Sequence, residues 1–295
     1  MKSKRSLSVL ALLFAQSIMY GQIVDSLPLF GTSVDIDVYG NIYVVDSESA
    51  LLTVFTKGTK QVRQIGGQGW GTEQFDSPRA VWASNGLDIY VADYGNHRVQ
   101  RYDKTLSYVS TLYTRDNEDQ STRFGYPTDM TLTRLGDLFV CDSENARILK
   151  LTRSTQPDRS FGGFEAGKGR LYAPVRIEAG PGDNLYVLDR NRVVVFDTFG
   201  NFVRELGKGL FRTPKRIYAD TERVLILDGD LLYRFDDRER PMIPVSVSAS
   251  AGGRIEGDEV LSMTHAGSIL FALTSEGLFL VRLPPAREQR EGLTK

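Results

Sequence analysis

An apolar run that closes on a small polar residue, usually aspartate, recurs along this chain every 39 to 49 residues. The copies are Asn41–Asp46 (NIYVVD), Asp88–Asp93 (DIYVAD), Asp137–Asp142 (DLFVCD), Asn184–Asp189 (NLYVLD) and Arg223–Asp228 (RVLILD), with a weaker sixth at Ser268–Thr274 (SILFALT). A period of that length marks one supersecondary unit of about four short strands, too small to bury both its faces alone. Radial stacking of such units is the propeller solution.

The next strand of each unit keeps the same phase. Phe55, Tyr102 and Leu151 fall nine residues after their closing residue, and Phe196, Phe235 and Val281 fall seven after theirs. A two-residue change in turn length preserves side-chain facing, because the strand period is two. The segments between units repeat as well. Gly66-Gly67 leads to Phe75 and Pro78, Gly162-Gly163 to Leu171 and Pro174, and Gly207 to Phe211 and Pro214, with a shorter version at Phe124–Pro127. Glycine permits positive φ in these crossings and proline stiffens entry to the next strand. The apolar residue before each proline is placed to plug the gap between neighbouring units.

Tyr90–Tyr102 (YVADYGNHRVQRY) and Phe139–Leu151 (FVCDSENARILKL), each preceded by a glycine-, aromatic- and proline-marked crossing, resemble the NHL repeat. The resemblance runs over roughly residues 31–283. Units 1, 4, 5 and 6 depart from the full Asp-x-x-Asn-x-Arg spacing. It implies an all-β, six-bladed propeller of NHL or TolB-like type with four-stranded antiparallel blades, at about 31–67, 75–113, 124–163, 171–207, 211–247 and 256–283. The last unit shows three strands, and Gln22–Phe30 has no partner in the first. The leading segment is therefore expected to supply the outer strand of blade 6, which removes a free edge.

Both ends differ from this body. Lys2, Lys4 and Arg5 precede an apolar run from Leu7 to Ala15, the layout of a secretory signal. Cleavage is expected after Gly21, with Ala15 as the alternative, and the protein is read as secreted or periplasmic without a membrane span. Removing residues 1–21 takes three basic and no acidic residues, leaving a net charge of −4. That balance argues against a nucleic-acid partner. Residues 284–295 read as a charged tail. The body, 22–283, is expected to be a monomer.

Chemistry-bearing residues are sparse. The chain has one cysteine, Cys141, and two histidines, His97 and His265. Cys141 occupies the place of Val45, Ala92, Leu188 and Leu227, so it reads as a buried apolar residue. The histidines have no spaced metal partner, and no metal or cofactor is expected. Propellers similar to this one include amidating lyases with several zinc-binding histidines, calcium-binding lactonases and streptogramin lyases with a catalytic histidine. None of those sets can be assembled here, and no catalytic residue is assigned. The repeated aspartates read as turn formers, with Arg98 and Arg147 pairing with them.

The remaining signal lies just after each repeat proline, where the first strand of a blade enters the central channel. Those positions hold Arg79, Thr128 and Asp129, Val175 and Arg176, and Lys215 and Arg216; the crossings add Trp70, Tyr126 and Tyr172. The candidate ligand site is therefore Arg79, Asp129, Arg176, Lys215 and Arg216, rimmed by Trp70, Tyr126 and Tyr172. Such a mouth suits a small anionic ligand or an acidic segment of a protein partner. The competing reading is that these charges pair with one another and solvate the rim. A metal-dependent hydrolase or lyase with its site in the channel is the alternative function.

Overall fold

The computed structural model describes residues 22–56, 60–153 and 156–285. The leader and the tail from 286 onward lie outside these described residues. Within them, the strands form six antiparallel sheets of four; five run in sequence order from the axis outwards, and in the sixth the outermost strand comes from the start of the described chain. The innermost strands are Ser33–Ile36, Ala80–Trp82, Pro127–Leu132, Pro174–Ala179, Pro214–Ala219 and Ser262–Ala266. Each touches the next around the axis, and the last touches the first, so the ring closes.

One register serves all six blades. Ile42 faces Phe55, Ile89 faces Tyr102, Leu138 faces Leu151, Leu185 faces Phe196, Val224 faces Phe235 and Leu270 faces Val281. The difference of two residues in turn length is absorbed without flipping any side chain. Because each sheet packs on a neighbour at both faces, the second strands are apolar on both sides; Leu138–Asp142 is buried throughout. Six apolar clusters result, each shared by two adjacent blades, such as Tyr43 and Leu52 of blade 1 with Val81 and Val91 of blade 2. Phe75, Phe124 and Leu171 are fully buried in three of them, each contributing about 1.5–3 kcal/mol by burial. Phe211 is only partly buried against the blade 4–5 cluster.

The leading segment closes the ring. Gln22–Leu27 pairs antiparallel with Gly277–Arg282, from Gln22 opposite Arg282 to Leu27 opposite Leu278, with one bulge between Ile23 and Asp25. The outer edge of blade 6 is thereby covered, and Pro28 follows directly after the strand.

The repeated aspartates tie each crossing to its blade. Asp93 accepts from Asp76 N at 2.7 Å, Asp142 from Gly125 N at 3.2 Å, Asp189 from Tyr172 N and Ala173 N at 2.9 and 2.7 Å, and Asp228 from Arg212 N and Thr213 N at 2.7 and 2.8 Å. Arg98 pairs with Asp93 at 2.7 Å and Arg147 with Asp142 at 3.0 Å. Blade 4 keeps the same pair at a shorter spacing. Arg192 sits three residues after Asp189, where the full repeat uses five, and bonds it at 2.9 Å. Its turn is two residues shorter, so the arginine lands at the same place. Gly66, at φ 131°, lies so close to the Ala50 carbonyl that a Cβ would collide with it.

Blade 5 departs most from the pattern. Its outer strand is only Val245–Ser246, followed by the helical turn Val247–Ser250. Asp230 organises this turn, accepting from Ser248 N at 2.8 Å and Gly257 N at 3.2 Å. Ile255 and Val260 then fill the space between blades 5 and 6.

Candidate functional site

Each inner strand starts at one face of the disc, here called the mouth, and ends at the other. At this end stand Thr32, Arg79 and Leu261, each just before its inner strand, and Thr128, Val175 and Lys215, each second in its strand. Together with Gly31, Arg176 and Arg216 they line one cavity of about 420 Å³. The lining holds four basic residues and no acidic one.

The next layer inward shows what this position does structurally. An inner strand presents backbone N–H groups toward the neighbouring blade, and they need acceptors. Ser262 Oγ accepts from Val34 N at 3.2 Å, Ser33 Oγ from Val81 N at 3.4 Å, and Asp129 Oδ2 from Ile177 N at 2.9 Å. Deeper still, Asp35 Oδ2 accepts from Ala83 N at 2.7 Å and Thr131 Oγ1 from Ala179 N at 3.1 Å. Blades 4 and 5 place Arg176 and Arg216 in the layer of Ser33, Asp129 and Ser262. A guanidinium is donor only, so neither arginine can do the stapling work of that layer.

The electrostatics follow from this crowding. Burial, with Arg176 adjacent, pulls Arg216 down to about 10. Its Nη1 donates to the Lys215 carbonyl at 2.7 Å, while its Nε is buried without an acceptor. Burial raises Asp129 to about 6 against the attraction of Arg176, and raises Asp35 to about 6 against four hydrogen bonds. Glu178 is pushed well up by burial, with Asp129 and Asp35 adding repulsion. The channel around these acids encloses about 30 Å³, room for one or two waters and no larger ligand. The mouth, not the interior, has the capacity of a ligand site.

The structure therefore brings Arg79, Arg176, Lys215 and Arg216 together around one cavity. Asp129 shares the layer of Arg176 and Arg216 but does not line the mouth cavity; it is only 7% exposed and accepts from Ile177 N of the neighbouring blade. Trp70, Tyr126 and Tyr172 do not line the cavity and instead hold the surrounding rim. Tyr126 packs on Tyr94 and His97, with ring centroids at 5.1 and 4.2 Å, and Arg79 lies over Tyr94 at 4.7 Å. Tyr172 has the guanidinium groups of Arg170, Arg190 and Arg192 within 5.0–5.2 Å. Trp70 sits over Arg98 at 4.9 Å and edge-on to Tyr113 at 5.9 Å. Leu261, Gly31 and Tyr94 were not legible as site residues. Leu261 has no proline to mark its strand, and Tyr94 reaches the rim only through the turn after Asp93.

The two histidines lie on opposite faces. His97 is in a mouth-side turn, with Nδ1 at 3.0 Å from Arg115 Nη1. His265 is near the far end of an inner strand, and burial, aided by Arg223 and Arg234, pulls it down to about 4. Cys141 is fully buried, and burial pushes its thiol up. Among the described residues, no three His, Cys, Asp or Glu side chains come together as a metal-binding group.

Fold and site together define a six-bladed β-propeller whose channel opens on a basic mouth. Residues 75–102 and 124–151 match the NHL repeat, so this six-bladed propeller carries two NHL repeats. It is 26% identical over 244 residues to a probable peptidyl-alpha-hydroxyglycine alpha-amidating lyase of Caenorhabditis elegans, covering 74% of this chain. The match spans 64% of that protein's length. Virginiamycin B lyase from Staphylococcus aureus superposes with a TM-score of 0.61 at 11% identity, over 89% of this chain and 98% of the lyase. A chain of a nidogen/laminin complex superposes with a TM-score of 0.58 at 14% identity, over 75% of this chain and 81% of that one. At such identities the superpositions establish the fold alone.

Proposed function

We propose that this chain is an exported, non-catalytic binding propeller that captures an anionic group, on a small ligand or a protein partner, at its mouth. One observation carries the reading. Where blades 1, 3 and 6 place acceptors that staple the ring, blades 4 and 5 place Arg176 and Arg216, at the edge of a cavity also lined by Arg79 and Lys215. Burying Arg216, and setting it beside Arg176, disfavours its charge and pulls it down to about 10. An anion between them converts that repulsion into charge-assisted hydrogen bonds. The basic start and apolar run of residues 2–15 support export.

The test is calorimetric titration of a tricarboxylate probe, citrate, into the wild type and into the Arg176→Ala, Arg216→Ala double variant. Two charged hydrogen bonds at about 1.5–3 kcal/mol each predict at least a hundredfold loss of affinity. The melting temperature should hold steady or rise. Unchanged citrate binding, or a collapse in stability, would assign these arginines a structural role.

A second reading, lyase activity in the channel, is favoured by the similarity to the amidating lyase. Elemental analysis of the purified protein separates the two. Stoichiometric zinc or calcium that survives dialysis supports the lyase and sinks the binding propeller.

A further inference from the structure

A larger cavity opens on the face opposite the mouth, between blades 5 and 6. His265, Gly267 and Ser268 line it from the far end of the inner strand of blade 6, whereas Leu261, just before that strand, lines the mouth. Its volume is about 550 Å³, within the range of pockets that enclose small organic molecules. Leu225, Phe235, Met242 and Leu283 give it apolar walls.

Its charged groups are unevenly matched. Arg223 is held by Asp220 at 3.5 Å and by Glu222, and Asp236 is held by Arg240 at 2.6 Å. Arg234 is different. It is only 8% exposed, with Nη1 donating to the Pro284 carbonyl at 2.6 Å and Nη2 to the Ile243 carbonyl at 3.5 Å. Those acceptors are neutral, and Arg234 Nε is buried with no acceptor at all. Arg282 faces the same cavity, and its Nε is likewise buried without an acceptor. No carboxylate is bonded to either guanidinium among the described residues. Two cations with unanswered donors, set in apolar walls, are expensive unless an anion completes them.

We propose that this cavity is a second binding site, which takes a small organic monocarboxylate with an apolar body. The carboxylate pairs with the Arg282 guanidinium where it lines the cavity, Arg234 adds positive charge from the wall, and the hydrocarbon portion lies on Leu225, Phe235, Met242 and Leu283. A monoanion suits the site better than a phosphate dianion, because the walls are apolar and Arg223 is already held by Asp220 and Glu222. Low local polarity strengthens that pairing relative to the more polar mouth.

The site does not depend on the mouth reading and is tested separately. Octanoate is titrated calorimetrically against the wild type, against Arg282→Gln and against the mouth variant Arg176→Ala, Arg216→Ala; octanamide serves as the uncharged probe. The expected result is octanoate binding with a Kd of about 1 mM or tighter, retained by the mouth variant. Arg282→Gln and the change to octanamide should each weaken it by about tenfold or more. Equal affinity for octanoate and octanamide overturns the proposal, as does undiminished octanoate binding by Arg282→Gln or loss of binding in the mouth variant. The amide comparison needs no substitution, so it stands even if Arg282→Gln misfolds.

Discussion

Arg98→Ala should destabilise the propeller by about 3–5 kcal/mol, the range for breaking one partner out of a buried ion pair. The magnitude comes from what is left behind. Arg98 is 3% exposed and donates to four acceptors: Asp93 Oδ2 at 2.7 Å, Trp70 O at 2.8 Å, Gln74 O at 2.9 Å and Gly71 O at 3.0 Å. Three of these are carbonyls of the crossing between blades 1 and 2, so one side chain pins that loop to the blade. Alanine leaves a fully buried Asp93 carboxylate whose pKa burial already raises. Asn96 and the Asp76 amide still donate to it, which keeps the loss toward the lower half of the range. Urea denaturation monitored by far-UV circular dichroism measures the change. Arg101→Ala is the control: its pair with Asp88, at 2.7 Å, is about a quarter exposed and should be worth about 1 kcal/mol or less. A loss below about 1 kcal/mol for Arg98→Ala, or equal losses for the two variants, would refute the idea that these pairs staple the blades.

Two further outcomes follow. Asp35 titrates near 6 in the folded protein, raised by burial, so its contribution to stability is fully present below about pH 4 and is lost as the pH rises through 6. Asp35→Asn should remove that decline and gain up to about 3 kcal/mol at pH 7 relative to its effect at pH 4; parallel wild-type and variant stability curves across pH 4–7 would contradict it. Deleting residues 22–27 uncovers the edge of Gly277–Arg282, so the shortened protein should aggregate or melt at least about 10 °C lower by scattering and calorimetry, whereas an unchanged monomer peak and melting point would show that the closure is dispensable.

The repeat carried most of the fold because it encodes register as well as strands. Residues from Phe55 to Val281 kept phase despite a change in turn length, and the unpaired Gln22–Phe30 segment left one vacant strand for it to fill. The blade 4 arginine escaped notice because Arg192 satisfies the geometry of the repeat, not its spacing. The helical turn of blade 5 was also missed, since Ser246 and Asp230 build it across sixteen residues. At the mouth, proline phase located Arg79, Arg176, Lys215 and Arg216 but treated adjacent positions as equivalent. Asp129 holds the same place after its proline as Arg176 and Arg216, but its short carboxylate accepts from Ile177 N of the next blade while the longer arginines reach the mouth cavity. Trp70, Tyr126 and Tyr172 follow the crossings, whose path no strand period dictates. The far-face cavity had no sequence signal, because Arg234 and Arg282 line it from two different blades.

Crystals soaked in selenate, with the anion located by its anomalous scattering, put the mouth to the most direct test. The account predicts a peak within hydrogen-bonding reach of Arg176 and Arg216, absent from the double alanine variant. A mouth with no peak, in crystals that bind selenate at other basic residues, would contradict it.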